Sequence, residues 1–371
     1  MKDRMAYRVI QWATGGVGRG AIDAIATHPD LELVGCWVHS EEKVGRDAGD
    51  LAGCGPLGVA ATNDIDALLA LEADCVLYSP MIAKPGEIAR LLASGKNVVT
   101  PLGWIYPVLL DNSKLEAACE AGGTTLHGTG IHPGGITERF PLVVSALSAR
   151  ITHVLAEEFS DIRTYGAPQV VGEVMLFGKP VDVARESPML RILGGGFTQS
   201  IDMVAAGLGV QLDAEKRTEH QIAVATKPID SPVGTIEPGY VAGQRFSWHG
   251  CVGGEPVVTA RVNWMMGDES LEPADASSEV PHGWKFGEAG ERFEVTVQGE
   301  PPVHLTFHGL HPESIEAGLK SNPGVNATAL HCVNAIPDVC RAESGIQTYL
   351  DLPAYSGRAH PDLIARGKGE A

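Results

Sequence analysis

The segment VIQWATGGVGRGAI, residues 9 to 22, constrains the fold more than any other part of this chain. An apolar run at residues 7 to 12 is typical of a buried parallel strand, and RGAIDAIATHP after it is typical of a helix that ends at Pro29. A glycine-rich turn between a strand and a helix is the setting in which helix-terminal amides bind a phosphate group. We therefore predict a strand–turn–helix unit that binds a dinucleotide.

The turn matches the dinucleotide fingerprint at two of its three glycine positions. Ala13 occupies the first position, which permits the tight turn, and alanine is the smallest substitute for glycine there. Gly15 lets the backbone approach the pyrophosphate, and Gly18 lets the helix pack against the strand. The alternative is an ordinary glycine-rich connection without a ligand. The predicted cofactor contacts in this turn are Ala13, Thr14, Gly15, Gly16, Val17 and Gly18.

Strands and helices alternate through about residue 148. Further strands are predicted at LELVGCWVHS, DCVLYSP, NVVTP and TTLHGTG, and the helices between them at NDIDALLALEA, GEIARLLASGK and SKLEAACEAGG. This alternation indicates a parallel sheet with helices on both faces. The predicted fold class is therefore α/β, with an N-terminal doubly wound Rossmann sheet.

The pattern changes near residue 151. ITHVLAEEFSDIRTY is typical of a long strand, and the later segments RFEVTVQG and PVHLTFHG alternate apolar with polar residues. These features predict a C-terminal α+β domain with a mostly antiparallel sheet. We expect a Rossmann domain at residues 1–150, a substrate and dimerisation domain at 151–322, and a helical segment at 323–371 that packs back on the Rossmann domain.

The composition limits the partners of the chain. Its net charge of −18 at pH 7 argues against nucleic acid or an anionic membrane surface as a partner. No apolar run reaches the length of a membrane span, and the first residues lack the apolar segment of a signal peptide, so we expect a cytoplasmic protein. The seven cysteines include no CxxC pair, which fits reduced thiols in such a compartment.

The end of the second strand bears on the choice of nicotinamide cofactor. An acid about 20 residues after the turn would bind the ribose hydroxyls of NAD, but Val38 is followed by His39 and Ser40. Lys43 and Arg46 come next and are suited to the 2′-phosphate of NADP; the alternative is that both are solvated cations. We predict NADP(H) as the cofactor and leave use of NAD(H) open.

Ligands of a doubly wound sheet bind outside the carboxyl ends of its strands. Three predicted loops lie there, namely SPMIAKP, TPLGWIYP and HGTGIHPGGITE. The first loop should flank the cofactor, and the other two should face the nicotinamide. The predicted cofactor contacts in these loops are Ser79, Pro80, Thr100 and Gly128.

Hydride transfer to a substrate needs a group that protonates or stabilises the atom being reduced. Tyr106 and His132 are suitable donors, and Glu138 is suited to hold an amine or iminium by its charge. Each has a structural alternative: a buried ring for Tyr106, bracing of the GTGIHPGG turn for His132, and helix N-terminal charge for Glu138. The predicted lining of the substrate pocket is Trp104, Phe140, Asp161 and Tyr165.

Other chemistries lack their sequence patterns. His304 and His308 lie four residues apart on a predicted strand. That separation is roughly 13 Å, too far for both to bind one zinc ion, so no metal site is expected. The chain contains neither a GxSxG nucleophile elbow nor a P-loop motif, so hydrolase and kinase functions are not expected either.

Five blocks of the sequence together resemble one family of oxidoreductases. The blocks are IQWATGGVGRGAI, VHSEEKVGRDAGDLAG, GKNVVTP, GTGIHPGGITERFPL and NATALHCVNAIPDVC, and they occur in the family's order over nearly the whole chain. The chain resembles the dihydrodipicolinate-reductase-like oxidoreductases, in the branch of 2,4-diaminopentanoate dehydrogenase and the native amine dehydrogenases. The resemblance implies a Rossmann domain, a C-terminal α+β domain, a homodimer, and NAD(P)-dependent interconversion of amines and carbonyl compounds through an imine.

The chain departs from the family's pattern at two positions. The family's amine dehydrogenases carry a catalytic glutamate in the loop after NVV, whereas TPLGWIYP here is followed by no acid before Asp111. His132 stands where the family's turn has an asparagine. Both departures argue against reductive amination with free ammonia and leave cofactor binding unaffected. Tyr165 matches a family tyrosine that lines the substrate pocket.

Three hypotheses about function follow. The first is an NAD(P)H-dependent oxidoreductase that reduces the C=N or C=O bond of a small-molecule imine or ketone, with an amine as the reverse substrate. The second is a true amine dehydrogenase that uses ammonia and takes its carboxylate from Glu138 or from the second domain. The third is an NADP-binding sensor whose catalytic chemistry has been lost.

Overall fold

The chain folds into two compact units. The computed structural model describes residues 6–275, 283–360 and 362–364 of the 371 residues. Unit 1 contains Met1–Gly134 and Val325–Ala371, and unit 2 contains Gly135–Gly324.

The regular elements are numbered in chain order. The strands are Tyr7–Trp12 (β1), Leu31–Trp37 (β2), Ala61–Thr62 (β3), Cys75–Tyr78 (β4), Asn97–Thr100 (β5), Thr125–Gly128 (β6), Ala149–Asp161 (β7), Arg217–Ala225 (β8), Ile229–Ser231 (β9), Gly234–Ile236 (β10), Val241–Val252 (β11), Glu255–Met265 (β12), Leu271–Pro273 (β13), Arg292–Glu300 (β14), Val303–Phe307 (β15) and Gly345–Ile346 (β16). The α-helices are Gly16–Thr27 (α1), Ala48–Ala52 (α2), Ile65–Ala70 (α3), Pro85–Ala93 (α4), Ser113–Gly122 (α5), Phe140–Ser145 (α6), Val181–Arg185 (α7), Met189–Gly207 (α8), Ile315–Lys320 (α9) and Pro323–Val339 (α10). Short 3₁₀ turns lie at Glu41–Lys43 and Ile162–Thr164, and π-helical turns lie at Gly135–Arg139 and Val170–Val174.

The sheet of unit 1 confirms the predicted Rossmann fold. All of its strands are parallel, in the order β16-β6-β5-β4-β1-β2-β3. Strands β1 to β6 thus have the doubly wound order, which reverses between β1 and β4. The glycine turn follows β1 and therefore lies at this reversal, where such sheets bind their ligands.

Helices cover both faces of this sheet because apolar side chains on adjacent positions of each strand point to opposite faces. Val9 packs in the cluster that contains the buried residues of α1 and α10. Ile10 packs in the other cluster, with the buried residues of α4 and α5. The C-terminal helix α10 is therefore part of the core of unit 1, although it lies far from that unit's other elements in the sequence.

Local sequence signals explain several helix ends. The Asp64 carboxylate accepts a hydrogen bond from the Ala67 amide at 3.0 Å and caps the start of α3. Pro85 occupies the first turn of α4, where its missing N–H costs nothing. Gly123 ends α5 with φ +64°, the left-handed conformation that glycine adopts without strain.

None of the helices that the structure describes combines the length and apolar character that a membrane span requires.

The units divide at other residues than the domain boundaries expected from sequence, which were 150/151 and 322/323. In the structure they divide between Gly134 and Gly135 and between Gly324 and Val325. The first difference arises because Leu142 and Val144 of α6 pack on the apolar cluster of unit 2. A short apolar helix carries no sequence signal for which of two cores it covers, so the change in pattern near residue 151 marked only the following strand.

Unit 2 contains the predicted mostly antiparallel sheet. Its strand order is β13-β8-β11-β12-β7-β14-β15, and only the pair β7 and β12 is parallel among these described neighbours. Helix α8 packs on one face, where Phe197 stacks on Trp248 with ring centroids 4.5 Å apart. Of the predicted site residues that follow Gly135, the sheet carries Asp161, the last residue of β7.

Candidate cofactor and substrate site

The glycine turn ends in a helix N-terminus without a side-chain cap. Helix α1 begins at Gly16, and its N-cap, Gly15, has φ −75° and ψ −166° and supplies no side-chain hydrogen bond. The amides of the first helical turn have no acceptor within their own helix, and the helix dipole adds positive charge there. The Cβ position of Gly15 meets no described atom within 4 Å, so the turn has room for a pyrophosphate. These features fit a dinucleotide.

Gly18 has a different role from Gly15. A Cβ atom on Gly18 would lie 2.1 Å from the carbonyl oxygen of Ala13. Only glycine therefore allows α1 to pack this closely against the turn, as the fingerprint predicts for its third position. Gly16 is also close-packed, since its Cβ position lies 3.0 Å from Val325 on α10. Val17 packs, partly buried, against the apolar cluster of unit 1.

Ala13, at the first glycine position, adopts φ +77°. This left-handed conformation costs an alanine roughly 1–2 kcal/mol. The side-chain amide of Gln11 donates to the Ala13 carbonyl at 2.9 Å and to the Ser79 hydroxyl at 2.9 Å. Gln11 is fully buried and so ties the strained turn to the end of β4. Gln11 is not among the residues predicted from sequence, although a polar side chain inside the apolar run before the turn is a usable signal.

We predict that Gln11 compensates for the alanine in the turn. Gln11→Leu is expected to weaken NADPH binding and to lower the free energy of unfolding by about 1 kcal/mol, the net value of a typical hydrogen bond. Ala13→Gly in that background is expected to restore much of the NADPH affinity, because glycine adopts the left-handed conformation without strain. NADPH titration and urea unfolding of the two single variants and the double variant measure both effects. Additive effects of the two changes would show that Gln11 and Ala13 are not coupled.

The segment after β2 brings a cation to the glycine turn. The Lys43 ammonium lies 3.3 Å from the Thr14 hydroxyl, which is within the turn itself. His39 is exposed and Ser40 is half-buried, directly after the strand. The first acid of the segment, Glu41, accepts a hydrogen bond from the Asn63 side chain at 2.8 Å. Lys43 therefore brings a positive charge to the turn, which suits a phosphate rather than ribose hydroxyls.

The loops after β4, β5 and β6 lie at the same edge of the sheet. Ser79 bonds the end of β1 through its amide, 3.1 Å from the Trp12 carbonyl oxygen, and Pro80 begins the loop after β4. Thr100 is fully buried and its hydroxyl accepts from the Leu102 amide at 3.2 Å. A Cβ on Gly128 would lie 2.0 Å from the carbonyl oxygen of Gly103, so the loop after β5 packs directly on the end of β6.

That packing sets the positions of the loops that carry Trp104, Tyr106 and His132. Trp104 follows Gly103 with φ +55°, and Tyr106 lies two residues further on, half-buried. His132 lies in the turn after β6, which is closed by a bridge between Ile131 and Gly134. Because β5 and β6 pair in parallel, Tyr106 and His132 are carried by adjacent loops at the carboxyl edge of the sheet.

A second polar cluster in this region was missed. The Thr129 hydroxyl, directly after β6, lies 2.9 Å from His331 Nδ1 and 3.1 Å from the Tyr355 hydroxyl, and it also bonds the Tyr349 hydroxyl. His127 on β6 bonds the Gln347 carbonyl at 2.8 Å. The C-terminal segment thus holds the end of β6 in place. Its tyrosines lie more than 200 positions from Thr129, so no local sequence pattern could reveal the contact.

The remaining predicted residues belong to unit 2. Glu138 is fully buried in the π-helical turn Gly135–Arg139, and its carboxylate accepts a hydrogen bond from the Ser200 hydroxyl of α8. Such π-helical turns are frequent at functional sites. Phe140, at the start of α6, packs against Phe307 with ring centroids 4.9 Å apart.

Asp161 and Tyr165 lie at the end of β7 and just beyond it. Both Asp161 oxygens accept from the Arg163 guanidinium, at 2.6 and 3.0 Å, so this carboxylate is engaged in an ion pair. Burial, and then the charge of Glu158, raises the pKa of the Tyr165 phenol. Tyr165 therefore stays protonated at neutral pH and can act as a hydrogen-bond donor but not as a base.

Family profiles match both halves of the chain. A profile described as dihydrodipicolinate reductase, N-terminus, matches residues 9–99, and one described as 2,4-diaminopentanoate dehydrogenase C-terminal domain matches residues 138–277. The first range contains the glycine turn, and the second contains the predicted site residues of unit 2 from Glu138 to Tyr165. The profile matches thus correspond to the two units of the structure.

Two curated proteins are similar over almost their full lengths. An amine dehydrogenase of Streptomyces virginiae is 32% identical over 363 residues, which cover 93% of this chain and 95% of that protein. A 2,4-diaminopentanoate dehydrogenase of Acetoanaerobium sticklandii is 24% identical over 359 residues, which cover 93% of each chain. The fold is also that of a solved amine dehydrogenase from Mycobacterium smegmatis, with a TM-score of 0.71 at 21% identity over 95% of this chain and 97% of that one.

Proposed function

We propose that this chain, which belongs to the dihydrodipicolinate-reductase-like family that includes amine dehydrogenase and 2,4-diaminopentanoate dehydrogenase, reduces a C=N or C=O bond with NADPH. Membership of this family makes it an NAD(P)-dependent oxidoreductase that acts on a small molecule. The observation that carries this proposal is the position of Tyr106 and His132 on adjacent loops at the carboxyl edge of the Rossmann sheet. That edge is where the nicotinamide half of a dinucleotide binds.

In this proposal the protein supplies orientation and proton donation. The nicotinamide supplies the hydride when it is bound. The glycine turn and Lys43 hold the phosphates, and the loops with Ser79, Thr100 and Gly128 support the rest of the cofactor. Tyr106 or His132 donates a hydrogen bond to the nitrogen or oxygen that becomes negative as the hydride arrives. We also propose that the enzyme acts as a homodimer, as the family resemblance implies.

A second candidate function is reductive amination with free ammonia. Building an imine from ammonia requires a carboxylate or another base in the site. The loop after β5 has no acid before Asp111, but Glu138 is a buried carboxylate six residues after His132. Glu138 is buried and held by its hydrogen bond from Ser200, so it is the carboxylate that this second candidate would use as its base.

The test compares three substrates in one NADPH oxidation assay. We expect a high rate of NADPH oxidation with a preformed cyclic imine or with a ketone alone. The increase in rate on adding ammonia to the ketone should be much smaller. The reason is that a preformed imine needs one proton donor, whereas imine formation from ammonia needs a base as well. A dominant ammonia-dependent rate that Glu138→Gln abolishes would favour the second candidate. NADPH binding without oxidation by any carbonyl or imine would favour the sensor hypothesis.

A further inference from the structure

The segment between β2 and β3 of unit 1 contains a glycine-rich loop at residues 48 to 58, with the sequence AGDLAGCGPLG. Three of its glycines adopt the left-handed conformation, namely Gly53 at φ +86°, Gly55 at φ +87° and Gly58 at φ +76°. Glycine loses more conformational freedom on folding than any other residue. The order of this loop therefore depends on contacts that compensate for that loss.

The Asp47 carboxylate, directly before the loop, supplies such contacts at both ends of it. Oδ1 accepts a hydrogen bond from the Gly49 amide at 2.8 Å and another from the Leu57 amide at 2.9 Å. Oδ2 accepts from the Gly58 amide at 2.7 Å, and the Asp50 amide adds a longer bond to Oδ1 at 3.4 Å. One side chain thus joins the first residues of the loop to its last two.

These hydrogen bonds keep Asp47 ionised. The bond from the Leu57 amide has the largest effect and lowers the pKa of the Asp47 carboxyl, against the smaller opposing effect of burial. A carboxylate accepts through both oxygens, whereas a protonated carboxyl group carries an O–H donor that no amide N–H can accept. At neutral pH the side chain is therefore in the form that closes the loop.

Closure of the loop fixes the backbone that precedes it. Asp47 forms an antiparallel bridge with Ala60. The Gly45 amide donates to the Ala61 carbonyl at 2.8 Å, and the Ala61 amide donates to the Arg46 carbonyl at 2.8 Å. Ala61 begins β3, the strand at one edge of the Rossmann sheet. Residues 45 to 47 are thus held against this edge by the chain that returns from the loop.

Two cations lie on the backbone that is held in this way. Lys43 ends a 3₁₀ turn, and its carbonyl accepts from the Arg46 amide at 3.2 Å. The Lys43 ammonium reaches the Thr14 hydroxyl of the glycine turn at 3.3 Å. Arg46 is exposed and forms no ion pair within the part of the chain that the structure describes. Both cations are therefore suited to charge-assisted bonds with a phosphate.

We propose that Asp47 is a positioning residue for cofactor selection, because it holds the segment that presents Lys43 and Arg46 to the 2′-phosphate of NADPH. This inference rests on the proposed function, in which NADPH is the cofactor. A carboxylate repels a phosphate, so Asp47 acts through the backbone that it orders and not by contact with the cofactor. NADH lacks the 2′-phosphate, and its binding therefore depends little on Asp47.

The first experiment titrates the full-length protein with NADPH and with NADH by calorimetry. Asp47→Ala is expected to raise the Kd for NADPH by about tenfold, the effect of losing one hydrogen bond to a charged group, and to change the Kd for NADH much less. Asp47→Asn keeps Oδ1, which accepts three of the four amides, and should retain most of the preference for NADPH. A purely structural role would weaken the binding of both cofactors equally and would overturn the inference.

A second comparison tests whether Asp47 acts through the two cations. In a Lys43→Ala/Arg46→Ala background there is no cation left to position. Asp47→Ala is therefore expected to leave the Kd for NADPH unchanged in that background, although it raises this Kd in the wild type. A further tenfold loss in that background would show that Asp47 acts by another route.

Asp213→Ala is the matched control. The Asp213 carboxylate accepts from the Gly253 and Gly254 amides at 3.1 and 2.9 Å, so this variant removes a similar set of bonds from a glycine turn of unit 2. It should leave the Kd for both cofactors unchanged. A loss of NADPH affinity as large as that in Asp47→Ala would mean that the effect is not specific to the segment after β2.

Hydrogen–deuterium exchange without cofactor separates this inference from the proposed function. We expect the amides of Leu57 and Gly58 to exchange faster in Asp47→Ala than in the wild type, and at the wild-type rate in Asp213→Ala. Equal affinity of the wild type for NADPH and NADH would contradict the proposed cofactor. A wild type that prefers NADPH, together with an Asp47→Ala variant that exchanges faster and keeps this preference, would overturn the inference alone. Unchanged exchange in Asp47→Ala would overturn it as well.

Discussion

Gly15→Val is expected to fold like the wild type and to lose NADPH affinity by about a hundredfold or more, which corresponds to about 2.7 kcal/mol. A Cβ atom on Gly15 meets no described protein atom within 4 Å, so we expect the protein to fold with a larger side chain there. The same side chain would keep the turn away from the pyrophosphate, which needs close approach of the backbone. Calorimetric titration with NADPH measures the affinity, and thermal unfolding without cofactor checks the fold.

Gly18→Val is the matched comparison. Its Cβ would lie 2.1 Å from the Ala13 carbonyl oxygen, so we expect this variant to lose stability together with cofactor affinity. Gly15→Val should lose only the affinity. If folded Gly15→Val bound NADPH as tightly as the wild type does, the glycine turn would not be the pyrophosphate site.

Lys43→Ala is expected to raise the Michaelis constant for NADPH by roughly ten- to a hundredfold and to change that for NADH much less. The Lys43 ammonium lies 3.3 Å from the Thr14 hydroxyl and is placed to bind the 2′-phosphate, which only NADPH carries. Loss of a hydrogen bond to a charged group costs about 1.5–3 kcal/mol, which sets the size of the expected effect. Steady-state kinetics with both cofactors and a fixed substrate measure the difference.

Two controls define what Lys43→Ala reports. Lys114→Ala removes an exposed lysine of α5 and should change neither Michaelis constant, so it accounts for the loss of one positive charge in general. Lys43→Arg keeps the charge and should retain a preference for NADPH. Equal effects of Lys43→Ala on NADPH and NADH would mean that Lys43 binds the shared pyrophosphate instead of the 2′-phosphate.

The missing loop glutamate takes on a different meaning with the structure. Two acids of unit 2 lie on separate elements, the buried Glu138 in a π-helical turn and the half-buried Glu158 on β7. Glu138 is a site residue predicted from sequence, whereas Glu158 lies in a segment predicted as a long strand whose expected site residues are Asp161 and Tyr165. Glu138 is therefore the buried carboxylate that the second candidate function proposes in place of the loop glutamate.

The sequence by itself determined the elements and the glycine turn. Apolar periodicity predicts strands and helices because burial repeats every two or every 3.6 residues, and the glycine positions predict close backbone packing, as Gly18 shows. The fold class, the alternation through β6 and the mostly antiparallel second sheet follow from such local patterns. These signals are contained within short windows, so they need no knowledge of the tertiary structure.

Only the tertiary structure decided which side chains meet. Ser160 and His311 are 151 positions apart, Gln11 and Ser79 are 68 apart, and both contacts depend on strand order and register. The unit boundary at Gly134 was decided in the same way, by which core the apolar residues of α6 cover. A side chain's sequence neighbours report whether it is buried but not which distant group it bonds. For that reason the hydrogen bonds of Gln11 and Ser160 to distant residues could be recognised only after the strands were in place.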